Sequence, residues 1–176
     1  MKVICEHWDA EGALAVLEDL DRHDLAEAGV NMGRCLRPLE ALTAFQFGAG
    51  AGHDVRVAWA MRADAPMEPF AILSVIRADT AGVAGAGLIA RDHRKWRRAL
   101  AALAVQIRDR LPGYMAERGL TRIEARSWVR HPTGGHLLVA MGFHHEVLMR
   151  GFGPKGAEAF HLFSRIEPNR RSDPCA

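Results

Sequence analysis

Four cations and a tryptophan stand together at Arg94-Lys95-Trp96-Arg97-Arg98. Leu100, Leu103, Ala104, Ile107 and Leu111 follow at a spacing near the ~3.6-residue helical period, which puts the cluster at the start of a long helix. A helix start presents unpaired N–H groups and a partial charge of about +0.5, so cations placed there cost helix stability. Two readings account for them. Helix starts suit phosphates, and an anion held at this one would use the cations. Alternatively, they form a solvated basic face on a helix that tertiary packing stabilises.

The other chemistry-bearing residues narrow the field. Cys5, Cys35 and Cys175 are odd in number and widely spaced, with no C-x-x-C pair, so reduced thiols in a cytoplasmic protein are expected. His144 and His145 are adjacent and would point to opposite faces of a strand. His7, His53, His93 and His161 show no i, i+4 pairing, so no metal site is expected. The run Gly48-Ala49-Gly50-Ala51-Gly52 lacks the Lys-Ser/Thr of a phosphate loop and follows a helix, which makes it a flexible connection.

Composition sets outer bounds. The chain has 176 residues, 49% hydrophobic and 25% charged, with a formal net charge of +2. This fits one domain, residues 1–166, with a loose polar tail over residues 167–176. The charge is too small for a protein devoted to nucleic acid, although the basic cluster could act locally. No apolar run approaches the ~20 residues of a membrane helix, and the first residues contain no apolar signal region.

The elements that must position the cluster are read from periodicity and punctuation. A strand over residues 2–8 leads through Asp9, a good N-cap, into a helix with the stripe Leu14, Leu17, Leu20 and Leu25, ending near Gly29. Pro38 opens a second helix carrying Leu39, Leu42 and Phe45. Alternation predicts strands over 54–62 and around 70–76. Residues 83–90 are small and apolar; Gly85 and Gly87 there suggest a bulge or a place where a ligand nears the backbone. The long helix runs from about Asp92 to Arg110, and Pro112-Gly113 should kink or end it, with a further turn or two to Gly119. Strands follow over 121–129, 146–152 and 159–166, with a short helix over 134–141 capped by Thr133. The expected order is β-α-α-β-β-β-α-β-α-β-β, an α/β chain with a mixed sheet and helices on both faces. Strands two to four should form an antiparallel meander, and strands four and five, flanking the long helix, should be parallel.

That order resembles the GNAT (N-acetyltransferase) superfamily over most of the chain. The family's strand–helix junction carries an Arg/Gln-x-x-Gly-x-Gly/Ala signature around the pyrophosphate of acetyl-CoA. The matching stretch begins at Arg94 and ends at Ala99, with Arg97 at the central glycine. The family's later Asn-Pro, Tyr and Gly-Phe positions are His131-Pro132, Leu138 and Gly142-Phe143. The junction and Gly142-Phe143-His144-His145-Glu146 are also similar to divergent GNAT-like proteins of tailed phages, for which a part in virion assembly has been considered.

The resemblance implies acetyl-CoA as co-substrate, bound by the backbone of Leu88, Ile89 and Ala90 and by Arg94, Lys95, Arg97, Arg98, Ala99 and His131. Arg97 either blocks the phosphates or grips them through charge-assisted hydrogen bonds. Leu138 cannot protonate a leaving thiolate as the family's tyrosine does, and Tyr114 sits at the far end of the long helix. Glu124 is then the candidate base, with His131 next; the plainer reading of Glu124 is a strand-face carboxylate beside Arg122 or Arg126. Trp96 either stacks on a base or, more simply, covers the helix–sheet seam.

Three functions follow as expectations. The first is N-acyl transfer to a small-molecule or protein amine in the cytoplasm. The second is a catalytically inactive GNAT-fold assembly protein, virion-associated and partnered by virion or assembly proteins. The third and weakest is nucleic-acid binding through the basic junction. No membrane partner is expected.

Overall fold

The computed structural model describes residues 1–61 and 65–167. The tail expected to be loose falls outside the described residues apart from Glu167, as does Asp64 of the turn expected before the third strand. Seven strands, β1 (Lys2–His7), β2 (Asp54–Met61), β3 (Glu68–Arg77), β4 (Val83–Ala90), β5 (Arg122–Trp128), β6 (His144–Phe152) and β7 (Glu158–Ile166), form one sheet in the order β1-β2-β3-β4-β5-β7-β6. All neighbours are antiparallel except β4 and β5, the parallel pair expected around the long helix.

The helices are α1 (Ala10–Glu18), α2 (Arg22–Met32), α3 (Pro38–Gly50), α4 (His93–Arg118) and α5 (Gly134–Ala140). Side-chain alternation along the strands divides the core. Val55, Val57 and Ile72 pack with Ala13, Val16 and Leu17 of α1 and Ala41 of α3 on one face. On the other, Val3, Ala58, Ala60, Phe70 and Ala90 meet Trp96, Ala99, Leu100 and Leu103 of α4. Leu111 and Met115 of α4 continue this layer over Ile123, Ala125 and Phe163, with Leu137 and Leu138 of α5 beside them.

Three local expectations are corrected. The stripe Leu14–Leu25 is not one helix. The Asp9 carboxylate accepts from Gly12 N–H and caps α1 as expected, but α1 stops at Glu18 and Leu20 makes an isolated bridge to Arg91. Asp21 then caps a separate α2 by accepting from His23 N–H at 2.8 Å. Pro112 does not end α4, which is continuous for 26 residues. A proline inside a helix costs about 3 kcal/mol, and the buried Leu111 and Met115 on either side hold the helix to the sheet against that cost. Gly119, at φ 64°, ends the helical turns where they were expected to stop, adopting the left-handed conformation that closes a helix end. Thr133 makes no side-chain cap on α5; that role passes to His131.

Candidate active site

β4 and β5 pair only from Val83↔Arg122 to Ala86↔Ala125 and then part, although both strands continue to Ala90 and Trp128. A cavity of about 640 Å³ lies against this opening. Its wall includes Ala86, Gly87 and Leu88 of β4, Ala125, Arg126 and Ser127 of β5, and Asp24 and Glu27 of α2. Asp24 and Glu27 stand three residues apart on one face of α2. Ser127 Oγ is buried without a hydrogen-bond partner.

Asp24 closes the wide end of the opening. Its Oδ2 accepts from Ala90 N–H at 2.7 Å, and Oδ1 meets His131 Nε2 at 2.8 Å. His93 Nε2 lies 3.2 Å from Oδ2. Burial alone would push the Asp24 carboxyl up, but the hydrogen bonds from His131 and His93 outweigh it and hold the group below the ordinary carboxylate range. Burial opposes the charge on His93, and the Asp24 hydrogen bond overcomes this and raises its pKa.

Asp24, His93 and His131 could offer one ligand atom each to a cation, all within 4.8 Å of one another. The tautomer of His131 argues against that use. Its Nδ1 accepts from Gly134 N–H at 2.8 Å, so Nε2 bears the proton and donates to Asp24. A metal on Nε2 would require a proton on Nδ1, facing that N–H. The cluster is therefore a hydrogen-bonded triad tying α2, the start of α4 and the start of α5 together.

Gly134 is required by this close packing. A Cβ there would stand 2.3 Å from Ser127 Oγ and 3.1 Å from His131 Nδ1. Gly134→Ala is expected to destabilise the fold by about 1–2 kcal/mol in urea unfolding, although alanine is the better helix former by about 1 kcal/mol.

The start of α4 resolves the cation puzzle. Asp92 Oδ1 accepts from Arg94 and Lys95 N–H at 2.8 and 3.3 Å, and Asp21 Oδ2 accepts from His93 N–H at 3.0 Å. Trp96 N–H already donates to Asp92 O. Carboxylates thus satisfy the orphan amides and offset the cations. Those hydrogen bonds hold the Asp92 carboxyl below its ordinary value.

The sequence-derived site residues divide on this frame. Arg94, Arg97 and Arg98 are exposed and form no ion pair among the described residues; Lys95 lies 3.9 Å from Glu68 and covers the Trp96 ring. Arg97 belongs to a regular helix, so the junction has no loop at that point. Trp96 is 1% exposed and stacks on Phe70 with ring centroids 5.6 Å apart, covering the helix–sheet seam. Ala99 is buried beside it. Leu88 lines the cavity, whereas Ile89 packs against the α1/α3 layer. Both polar backbone groups of Ala90 are taken by α2 and its cap, N–H by Asp24 and C=O by Asp21 N–H. His131 lines the cavity. Glu124 does not: Arg122 Nε holds it at 2.6 Å, and the same guanidinium reaches Glu146.

Two cavity residues were not singled out as site residues from sequence. Glu27 is pushed up to about 7, chiefly by burial on the cavity wall. Tyr114 reaches the cavity from late in α4, and burial beside Asp54 raises its hydroxyl to about 12. The spacing Asp21, Asp24, Glu27 was the available signal for an acidic helix face, but nothing local says what that face meets.

No family model and no curated protein matches the sequence. Solved structures do. A Salmonella typhimurium protein described as an acetyltransferase, with its cofactor acetyl-CoA, is similar at 12% identity over 99% of each chain, with a TM-score of 0.67. A GNAT superfamily phosphinothricin acetyltransferase from Sinorhizobium meliloti, in complex with acetyl-CoA, aligns at 15% identity over 99% of this chain and 97% of its own, with a TM-score of 0.64. The ribosomal-protein-S18-alanine N-acetyltransferase of Escherichia coli gives 11% identity, 97% and 99% coverage and a TM-score of 0.63. The fold is that of the GNAT N-acetyltransferases. Among the described residues no helix is long and apolar enough to cross a membrane.

Proposed function

We propose that the protein is a GNAT-type N-acyltransferase that takes an acyl-CoA donor at the opening between β4 and β5. One observation carries this reading: the strands part after Ala86 and Ala125, and a cavity of about 640 Å³ lies against the parted ends. The buried, unpartnered Ser127 hydroxyl on its wall is a group that a polar ligand would satisfy. The donor supplies the thioester. On this reading Leu88 and Gly87 line the donor's path, while the exposed Arg94, Lys95, Arg97 and Arg98 attract its phosphates through their side chains. The amides at the start of α4 are already capped, so side-chain charge replaces the backbone as the phosphate grip. Such a grip is screened by salt. The acceptor is an amine, the class acted on by the ribosomal-protein-alanine acetyltransferases of the same fold.

A calorimetric titration with acetyl-CoA is expected to give micromolar affinity that weakens as salt is added. Reversing Arg94 and Arg98 together to glutamate should weaken it by about tenfold or more. An unchanged affinity in that variant removes the proposed grip.

A second reading is favoured by a specific observation. The carboxylates of Asp21, Asp24 and Asp92 occupy the amides of Ala90, His93, Arg94 and Lys95. A protein that has retained the fold as an assembly scaffold, binding virion or assembly proteins and no acyl-CoA, would show this self-capped junction. Absence of heat at millimolar acetyl-CoA selects it.

A further inference from the structure

We propose that the cavity continues from the strand opening into an apolar chamber between α4 and the middle of the sheet, and that this chamber takes the medium-length aliphatic chain of a fatty acyl-CoA donor. This inference rests on the acyltransferase reading above and names the donor's acyl class.

Burial should be most complete at the centre of the sheet, where β3 and β4 have strands on both sides and α4 packs on one face. It is not. Leu73 faces Leu88 and Val75 faces Ala86 across the β3–β4 register. Alternation turns these side chains towards α4, yet each is only half-buried. On the opposite face of β3, Ile72 is 1% exposed. Ile107 of α4 and Leu137 of α5 are half-buried as well, and all of these residues line the cavity. The gap divides the core on the α4 side. One cluster gathers around Phe70 and Trp96, a second around Met115 and Ile123, and Leu88, Ile107 and Leu137 border both.

The surface left in this gap is hydrocarbon. At the β1–β2 end the polar side chains are taken: Gln106 Nε2 donates to Val3 O at 3.0 Å, and Asp54 pairs with Arg56 at 2.8 Å and Arg118 at 3.3 Å. The other charged groups of α4 on the cavity wall, Asp109, Arg110 and Glu117, are exposed. An aliphatic chain gains about fourfold in affinity for each methylene it buries in such a place. The chamber joins the opening at Leu88 and at the last pair, Ala86↔Ala125, so a chain carried on the donor's thioester enters it directly. From β5 to β3 is roughly 10 Å, two strand spacings, about the reach of an eight-carbon chain. An acetyl group ends at the opening and leaves the chamber unfilled.

The test is a calorimetric series on the wild-type protein with acetyl-, butyryl-, hexanoyl- and octanoyl-CoA, and with octanoate alone. Affinity is expected to rise at each step and to reach about 100-fold or more over acetyl-CoA at octanoyl-CoA. The heat capacity of binding should become more negative along the series, the mark of apolar burial. Val75→Phe narrows the chamber from the sheet and Ile107→Phe narrows it from the helix. Whichever variant keeps the wild-type circular dichroism should cut the ratio of octanoyl to acetyl affinity by about tenfold. Thioesters that bind within about threefold of one another would overturn the chamber's role and leave the acyltransferase reading intact. A ratio unchanged in folded variants would overturn it as well, since the chain would then lie elsewhere. Octanoate binding beside a flat thioester series would assign the chamber to a free fatty acid and overturn the donor class. A wild-type protein that binds none of the thioesters overturns both readings together.

Discussion

Asp24→Ala is expected to destabilise the protein by about 3–5 kcal/mol, the range for stripping one partner from a buried charged network. The residue is 7% exposed and serves three elements at once: Ala90 N–H at the end of β4, His131 before α5 and His93 at the start of α4. Alanine would leave the Ala90 and His131 donors buried without an acceptor, each costing about 1–3 kcal/mol. The pH dependence gives the prediction a second handle. Asp24 is depressed in the fold, so its contribution is present above the unfolded carboxyl value near ~3.9 and is lost as pH falls through the lower folded value. His93 is raised, so its contribution is complete below about 6.5 and is lost as pH rises through the folded value. Urea unfolding across pH should show both dependences in the wild type and neither in Asp24→Ala. A variant that loses less than about 1 kcal/mol would show that the three elements are not joined through this carboxylate.

Trp96→Ala should cost a similar amount, about 3–5 kcal/mol, for a different reason. The indole is 1% exposed and fills the seam between α4 and the sheet, stacked on Phe70 and bordered by the Arg91 and Lys95 cations at 5.6 and 5.3 Å from its ring. Truncation opens a large void beneath the first turn of α4 and removes an aromatic pair. Trp96→Phe keeps most of that volume and should recover much of the stability. If the indole instead served as an exposed platform for a base, Trp96→Ala would fold as well as the wild type. Chemical unfolding of the three proteins separates these outcomes.

These two residues also show where the sequence was legible. Trp96 lies on a helix whose apolar spacing is regular, so the start of α4 and its packing against the sheet followed from periodicity. The strand meander and the parallel β4–β5 pair were readable for the same reason: alternation and the single intervening helix leave few arrangements. Asp24 was not legible. Its partners are 66, 69 and 107 positions away, and a single mid-helix carboxylate has no local signature. The split of the first helix was missed because Leu14, Leu17 and Leu20 continue a helical stripe across the break. Asp21 caps both α2 and α4, and only the second cap, made through space, explains why the chain breaks there. The helical turns to Gly119 were legible, but an end at Pro112 was not excluded from sequence; packing by Leu111 and Met115 outweighs the local cost of the proline. Glu124 reads in the fold as the strand-face partner of Arg122 that its neighbours suggested.

The most direct measurement is a titration of the 15N-labelled protein with acetyl-CoA, followed residue by residue in amide spectra. An acyl-CoA donor between the parted strands would shift Gly87, Leu88, Ala90 and Ser127 together with Arg94 to Arg98, saturably and less strongly at high salt. Spectra unchanged in these residues at millimolar acetyl-CoA would contradict the acyltransferase account and leave the self-capped scaffold as the reading of this fold.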